Sequence, residues 1–214
     1  MGYRKVPLAN GCHYHVFNKS IAGFEIFRYR EEYLRMLQTL RFYRTALKGE
    51  SYSLALRDKY LYAPEVHGPE RVRVLAYCIM PTHVHLFLEQ ITSDGIADFM
   101  RYATGGYTKY FNLRAKRKGP LWESRFESRL VKTDIYALHL ARYIHLNPTS
   151  AGLANKPNDW EFSSYHEYLE QSQDKHFCEF KHAINASPET IRKFTEDRED
   201  YQRSLQIIKS LILE

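Results

Sequence analysis

The alternation of apolar and polar residues along the chain predicts four β-strands. Cys12–Asn18 is typical of a first strand, and Val72–Met80 is an apolar run typical of a buried one. The stretch CIMPTHVHLFLE (residues 78–89) continues through a Pro81-Thr82 turn into another apolar run, which predicts a hairpin. The segment ESRFESRLV (residues 123–131) alternates as a fourth strand would.

Apolar residues at helical spacing predict helices between and after these strands. One lies in residues 24–47, and another in residues 94–117, where Gly105-Gly106 indicates close packing. A third helix follows the fourth strand, with Thr133 or Asp134 as N-cap, and Pro148 is expected to terminate it after Asn147.

The remaining segments lack such a clear period. Lys48–Glu70 contains Pro64, Gly68 and Pro69 and is expected to be irregular with a short helix. The tail from about Ser187 to Leu213 again has a helical apolar stripe, with Ser187 as N-cap and Pro188 in the first turn.

The order of these elements predicts the fold class. Strand, helix, strand, strand, helix, strand is the split β-α-β order of an α+β, ferredoxin-like fold, an antiparallel sheet with helices packed on one face. A chain of 214 residues is long enough for one such domain with an extension. We therefore expect a domain over residues 1–165 and a helical C-terminal extension over residues 166–214.

Composition and charge narrow the function classes. The chain has 31 Lys and Arg against 25 Asp and Glu, a net charge of +6, which allows a nucleic-acid partner without establishing one. Cys12, Cys78 and Cys178 are widely spaced, so neither a disulfide framework nor a cysteine zinc site is indicated. No apolar run reaches the roughly 18 residues of a membrane span. These features predict a cytoplasmic protein with no membrane partner.

Two histidines stand one residue apart within the predicted hairpin. His83 and His85 point to the same face of an extended strand, so the two imidazoles can share one partner. The alternative is that both are ordinary half-buried strand residues. His13 and His15 in HYHVF have the same spacing, so the spacing alone is a weak signal.

The helix after the fourth strand carries a polar stripe opposite its apolar side. At 3.6 residues per turn, Tyr136, His139, Tyr143 and Asn147 gather on one side, which puts a phenol and an amide one turn apart near the C-terminal end. Tyr143 could also be an ordinary surface residue, one of 17 tyrosines, and Asn147 a capping residue before Pro148.

Several motifs in a fixed order resemble a known family. MPTHVHLFLE (80–89) is followed about 60 residues later by ARYIHLNPTSAGL (141–153) and then by DWEFSSY (159–165). With YHVFNKS and YTKYFNLRAKRKGPLWESRFES, the similarity covers roughly residues 3–165. The chain resembles the single-tyrosine HUH transposases of the insertion-sequence type, in particular the branch of REP-associated tyrosine transposases.

That resemblance implies a fold, a reaction and a set of site residues. The family has a ferredoxin-like catalytic domain, which here would be residues 1–165, and it cleaves and rejoins single-stranded DNA near hairpins through a 5′-phosphotyrosine. By resemblance, His83 and His85 are the histidines of the HUH motif, Tyr143 is the nucleophile and Asn147 completes a site for Mg²⁺ or Mn²⁺. Imidazole ligands suit Mn²⁺ better than Mg²⁺.

Further residues are candidates for DNA binding or proton transfer. Basic residues would contact phosphates, and aromatic residues would stack on bases unless they pack in the core. His139, one turn before Tyr143, is a possible proton acceptor, although a structural or DNA-contact role is favoured, and His145 is expected to be buried and structural. The DNA-binding candidates are Arg114, Lys116, Arg117, Lys118, Trp122, Arg125, Arg129 and Lys132, with Tyr107 and Tyr110 as further stacking candidates.

Three function classes remain open at this stage. The leading hypothesis is a metal-dependent transposase that nicks and joins DNA through Tyr143, with single-stranded DNA hairpins as partner, in the cytoplasm of a bacterium and at its nucleoid. The others are a non-catalytic nucleic-acid-binding protein and a metal phosphoesterase that uses water. The protein is expected to be a monomer or a homodimer, and a site formed within one subunit or between two is left open.

Overall fold

A computed structural model describes residues 7–45, 49–56, 68–172 and 177–197. Four strands in these residues form one antiparallel sheet in the order β2-β3-β1-β4, the ferredoxin-like order that the sequence predicts. The strands are β1 (His13–Lys19), β2 (Val72–Met80), β3 (His83–Gln90) and β4 (Glu127–Val131).

Six α-helices complete the described part of the chain. None of them is long and apolar enough to cross a membrane. Residues 57–67 of the predicted irregular segment, and the predicted tail helix beyond residue 197, lie outside the described residues. The helices are α1 (Arg30–Thr45), α2 (Tyr52–Ala55), α3 (Gly95–Arg114), α4 (Asp134–Ser150), α5 (Tyr165–Tyr168) and α6 (Pro188–Glu196).

The two faces of the sheet have different partners. The alternating side chains of β3 divide between them: Val84, Leu86 and Leu88 lie in the core under α1 and α3, whereas Phe87 packs with α4 on the opposite face. The two predicted helices on one face are therefore present, and α4 covers the other. Buried residues of the C-terminal part, including Ile191 of α6, join the core beneath α4.

The predicted close packing at the glycine pair holds for one of the two. A Cβ on Gly106 would lie 3.1 Å from Cε2 of Tyr43 on α1, so a larger residue there would require the Tyr43 ring to shift. A Cβ on Gly105 would meet nothing within 4 Å, and the prediction is wrong at that position.

The turn between β2 and β3 is fastened to the segment before α1. The backbone N–H groups of Ile26 and Phe27 donate to the carbonyl of Pro81 at 2.9 and 3.1 Å, and the N–H of Ser20 donates to the carbonyl of Thr82 at 2.7 Å. These bonds keep residues 24–27 out of the helix, so α1 begins only at Arg30. They also fix the start of β3, where His83 lies.

Helix α4 begins as predicted and ends later. Oγ1 of Thr133 accepts the N–H of Tyr136 at 3.1 Å, which makes Thr133 the N-cap. Termination by Pro148 is wrong, because α4 continues to Ser150. A proline near the end removes one helical hydrogen bond, and Ala151 N–H to the Asn147 carbonyl at 3.0 Å keeps the last turn closed.

Candidate active site

The predicted histidine pair lies on the face of the sheet that α4 covers. His83 and His85 are neighbours on the same face of β3, with their ring centroids 5.0 Å apart and their planes nearly perpendicular. His85 is only 5 % exposed, and His83, at the start of the strand, is half-buried. The rings are therefore fixed by a regular strand rather than carried on a loop.

Helix α4 brings Tyr143 to this pair. The Tyr143 ring is half-buried, and its centroid is 5.6 Å from that of His85, with the two planes at 84°. The apolar side of α4, with Leu140 and Ile144 fully buried, packs against the sheet and sets this approach. Two motifs about 60 residues apart in sequence thus meet in space.

A third histidine, His15 of β1, belongs to the same cluster. Nε2 of His15 lies 3.0 Å from Nδ1 of His85, and the two rings stack at 5.2 Å. The His15 ring is also 6.0 Å from that of Tyr143. In β1 and β3, Phe17 pairs with His85, so His15 is its diagonal neighbour. Strand register, which spacing does not reveal, was the missing signal.

Burial keeps the three imidazoles neutral. It lowers the pKa of His15 to about 3, with a smaller contribution from the positive charge of Arg129. It also lowers the pKa of His83 to about 4, and that of His85 well below its ordinary value. Neutral imidazoles retain the lone pair that a cation binds, so ligation at neutral pH needs no loss of a proton.

The donor atoms in this region suit a divalent cation. Nδ1 of His83 is hydrogen-bonded to Oγ1 of Thr82 at 2.9 Å and Nδ1 of His85 is bonded to His15, so Nε2 is the ring nitrogen each has left for a cation. Nδ2 of Asn147 donates to the Tyr143 carbonyl at 2.8 Å, which leaves Oδ1 as its ligand atom. Two imidazoles and an amide oxygen fit Mn²⁺, and Mg²⁺ less well.

The resemblance adds one further ligand residue to the two histidines. Across the part of the chain that the structure describes, no group of three or more His, Cys, Asp or Glu side chains has the arrangement of a metal site. Asn147, one helical turn after Tyr143, is the third ligand residue that the resemblance implies.

A family model matches the part of the chain that carries four of these residues. The family model described as "Transposase IS200 like" matches residues 55–147, which include His83, His85, Tyr143 and Asn147. The resemblance to IS200-like transposases is confirmed. His15 lies outside the matched residues.

Two further proteins are similar to this chain, one in sequence and one in fold. A protein of Haemophilus influenzae named as a REP-associated tyrosine transposase is 28% identical over 102 residues, 43% of this chain. The match spans 58% of that relative's length. A solved structure, titled as a REP-associated tyrosine transposase bound to a REP hairpin, has a TM-score of 0.53 with 14% identity. It covers 87% of this chain and 98% of its own, and at that identity it supports the fold alone.

The basic loop after α3, residues 115–126, lies at the His83 end of the sheet. Lys19 pairs with His83 across β1 and β3, and its carbonyl accepts the N–H of Glu123 at 2.9 Å. Nδ2 of Asn18 donates to the Arg125 carbonyl at 2.8 Å. Residues 115–126 are thus anchored beside the start of β3. The predicted DNA-binding residues that are exposed are Arg114, Lys116, Lys118, Arg125 and Lys132.

Two of the remaining basic candidates have local partners. Arg129 pairs with His15 across β4 and β1 and lies on the face of the site, half-buried, with an ion pair to Glu127 at 3.6 Å. Arg117 is half-buried, donates to the Pro120 carbonyl at 2.8 Å and places its guanidinium 5.9 Å from the Phe24 ring. Arg129 is therefore the basic candidate that the strand register places beside the histidines.

The aromatic candidates divide between core and surface. Tyr107 is fully buried and donates its hydroxyl to the Ile26 carbonyl at 2.5 Å, so core packing accounts for it. The indole N–H of Trp122 points to α3 and lies 3.1 Å from Oγ1 of Thr108. Tyr110 is half-buried and accepts a hydrogen bond from Arg114 at 2.9 Å. Tyr110 is thus better placed to stack on a base than Tyr107.

The two other histidines of α4 have partners away from the pair. The His139 ring packs edge-on against Phe194 of α6 at 5.2 Å, which favours a structural role over proton transfer. His145 is 1 % exposed, as expected, and Nε2 lies 2.8 Å from Oγ of Ser164. Burial lowers the pKa of His145 to about 3.

Proposed function

We propose that this protein is a metal-dependent transposase that nicks and joins single-stranded DNA through Tyr143 and a 5′-phosphotyrosine intermediate. The observation that carries the proposal is the 5.6 Å approach of the Tyr143 ring to His85, within a region that matches the IS200-like family. The substrate is expected to be a single strand flanked by a hairpin, by analogy with the REP hairpin in the related solved structure.

The proposed reaction exchanges one phosphoester bond for another. The Tyr143 hydroxyl loses its proton and attacks phosphorus, so that a P–O bond to tyrosine forms and the bond to the 3′ oxygen breaks. The released 3′-hydroxyl takes up a proton, and the 5′ end stays on the enzyme. Attack by another 3′-hydroxyl reverses these steps and joins two strands without ATP.

The two histidines and Asn147 would bind the cation, and the bound cation would orient the scissile phosphate. Nε2 of His83, Nε2 of His85 and Oδ1 of Asn147 are the proposed ligand atoms. A bound Mg²⁺ or Mn²⁺ supplies positive charge that offsets the negative charge of the phosphate oxygens. Because α4 carries both Tyr143 and Asn147, one helix positions the nucleophile and a ligand together.

The basic loop would guide the strand into this site. Lys116, Lys118 and Arg125 are exposed in the loop anchored at the His83 end of the sheet. Phosphate contacts by such residues make binding dependent on salt concentration and set the register of the strand. Arg129 pairs with His15 across β4 and β1 and lies on the same face of the sheet as the histidines.

The proposal also covers the limits of the catalytic domain, the oligomeric state and the cellular location. We infer a catalytic domain over residues 1–165 with residues 166–214 as an extension, working as a monomer or a homodimer. A protein with this activity would act on chromosomal DNA at the nucleoid of a bacterial cell.

The proposal is tested by looking for a covalent adduct. The protein is incubated with Mn²⁺ and labelled single-stranded hairpin oligonucleotides, and denaturing gels are compared for wild type, Tyr143→Phe and Tyr29→Phe. Tyr29 is an exposed tyrosine just before α1 and serves as the matched control. We expect an adduct with wild type and Tyr29→Phe and none with Tyr143→Phe.

The other function classes give different results in this experiment. Cleavage by wild type and by Tyr143→Phe, without an adduct, would identify a phosphoesterase that uses water. Hairpin binding without cleavage or adduct across a hairpin library would favour a non-catalytic binding protein. Either result would contradict the transposase proposal.

A further inference from the structure

The His15 ring is buried and makes a hydrogen bond with His85. It is 1 % exposed, and its Nε2 lies 3.0 Å from Nδ1 of His85. Its own Nδ1 has no hydrogen-bond partner among residues 7–45, 49–56, 68–172 and 177–197. Burying an imidazole costs more than burying an apolar ring of similar size. The contact with His85 is therefore the polar interaction that offsets part of this cost.

We propose that His15 is a positioning residue that holds the proton of His85 on Nδ1, so that Nε2 of His85 is free to bind a divalent cation. The inference rests on the proposed function and adds a residue that the family match does not include. In this arrangement His85 donates from Nδ1 and Nε2 of His15 accepts, so His15 carries its own proton on Nδ1.

The opposite direction of this hydrogen bond would disable His85 as a ligand. If His15 donated from Nε2, Nδ1 of His85 would be occupied as the acceptor and the proton of the neutral His85 would be on Nε2. Neither ring nitrogen could then bind a cation. A ligand role for His85 thus requires His15 to be the acceptor.

The other proposed ligand has the same kind of support. Oγ1 of Thr82 lies 2.9 Å from Nδ1 of His83, and a hydroxyl can accept the Nδ1 proton as Nε2 of His15 does. Metal-binding histidines generally donate their second ring N–H to such a partner, which fixes tautomer and ring orientation. His83 and His85 are both held in this way, each from a different strand or turn.

A purely structural role for His15 is the competing explanation. Its ring also stacks on His85 and lies 5.0 Å from that of Phe17, so it fills space in the core as well. His15→Phe keeps an aromatic ring there and removes the acceptor. His15→Gln loses the ring and keeps an acceptor at nearly the same reach. The two variants therefore separate packing from hydrogen bonding.

The test measures Mn²⁺ binding to the full chain without DNA, by the electron paramagnetic resonance signal of free Mn²⁺. We expect His15→Phe to weaken binding by about 10- to 100-fold, the usual effect of losing such a partner, and His15→Gln to restore most of the affinity. His13→Phe, in the same strand and on the same face, is the matched control and should bind as wild type does.

Three outcomes would overturn the inference. The first is wild-type Mn²⁺ affinity in His15→Phe, and the second is an equal loss in His15→Phe and His15→Gln together with a lower melting temperature in both. If the wild-type protein still forms the covalent DNA adduct, the first and second outcomes contradict the inference on His15 but not the proposed function. The third is a wild type that neither binds Mn²⁺ nor forms an adduct, in which case both proposals fail.

A spectroscopic measurement keeps the inference testable if the variants do not fold. Long-range ¹H–¹⁵N spectra of the wild-type imidazoles report which ring nitrogen is protonated. We expect His85 and His15 both to be protonated on Nδ1. A proton on Nε2 of His85 would contradict the inference, whatever the variants do.

Discussion

The chain contains two His-x-His pairs on neighbouring strands of one sheet face, and their surroundings differ. His83 and His85 lie on β3 beside Tyr143, whereas on β1 only His15 reaches that cluster. His13 lies at the opposite end of the face, where its Nε2 is 3.9 Å from a carboxylate oxygen of Glu89. Antiparallel register separates the outer members of the two pairs, so identical spacing leads to different chemistry.

The largest expected difference between the two pairs is in the rate of DNA cleavage. We expect His85→Ala to lower the rate of hairpin-strand cleavage by on the order of 100-fold or more, since it removes a ligand and its transition-state charge. His13→Ala should cleave at nearly the wild-type rate. Single-turnover gel assays with Mn²⁺ measure both, and equal losses in the two variants would show that the pairs are not functionally distinct.

How much of this was predictable differs between the two pairs. The hairpin, β2 and the shared face of His83 and His85 follow from local alternation and the Pro81-Thr82 turn, and the structure confirms them. Their meeting with Tyr143 followed from the family resemblance. Local pattern does not carry the register between β1 and β3, which are about 70 positions apart, so the role of His15 was missed.

Other differences between expectation and structure arise from the surroundings of each residue, which the local sequence pattern does not contain. The bonds from residues 26 and 27 to the Pro81 carbonyl shorten α1 at its start. Space on the surface leaves Gly105 unconstrained, while Tyr43 crowds Gly106. Helix α4 continues past Pro148 because the next backbone donors still find acceptors. The start of α1 and the space at the two glycines depend on residues distant in sequence. The end of α4 depends on which backbone hydrogen bonds still form after Pro148.

An effect on stability sharpens the difference between His15 and His13. Burial lowers the folded-state pKa of His15 to about 3, below the ordinary value of about 6.5 in an unfolded chain. The unfolded state therefore binds more protons between these values, and His15 contributes a loss of stability as pH falls from about 6.5 towards 3. That contribution is at most about 1.4 kcal/mol per pH unit and is absent above about pH 7.

Urea unfolding at several pH values checks this contribution. Between pH 6 and pH 4.5, His15→Phe should show a shallower fall in the free energy of unfolding than wild type, by up to about one proton's worth of slope. His13→Phe is the comparison variant, because it removes a histidine of the same strand that is only half-buried. The same slope in wild type and His15→Phe would mean that the buried ring is not held neutral.

The smallest expected effect is on the salt dependence of DNA binding by the basic loop, which lies at the His83 end of the sheet. The β3 pair begins beside the basic loop, so Lys116→Gln with Lys118→Gln should reduce the salt slope of hairpin binding by roughly 0.7 to 1 per lost phosphate contact. Arg101→Gln is the matched control, an exposed cation in the first half of α3 that is paired with Asp98 at 2.7 Å. Fluorescence anisotropy from 50 to 200 mM salt measures the slopes. An unchanged slope in the lysine variant would remove the loop from the DNA path.

The central claim is that Tyr143, placed against the β3 pair, carries the DNA during the reaction. The most direct measurement is mass spectrometry of the protease-digested adduct, which identifies the tyrosine that bears the nucleotide. We predict the modification on the peptide containing Tyr143. Modification of a different tyrosine, for example Tyr136 on the same helix, would contradict the account.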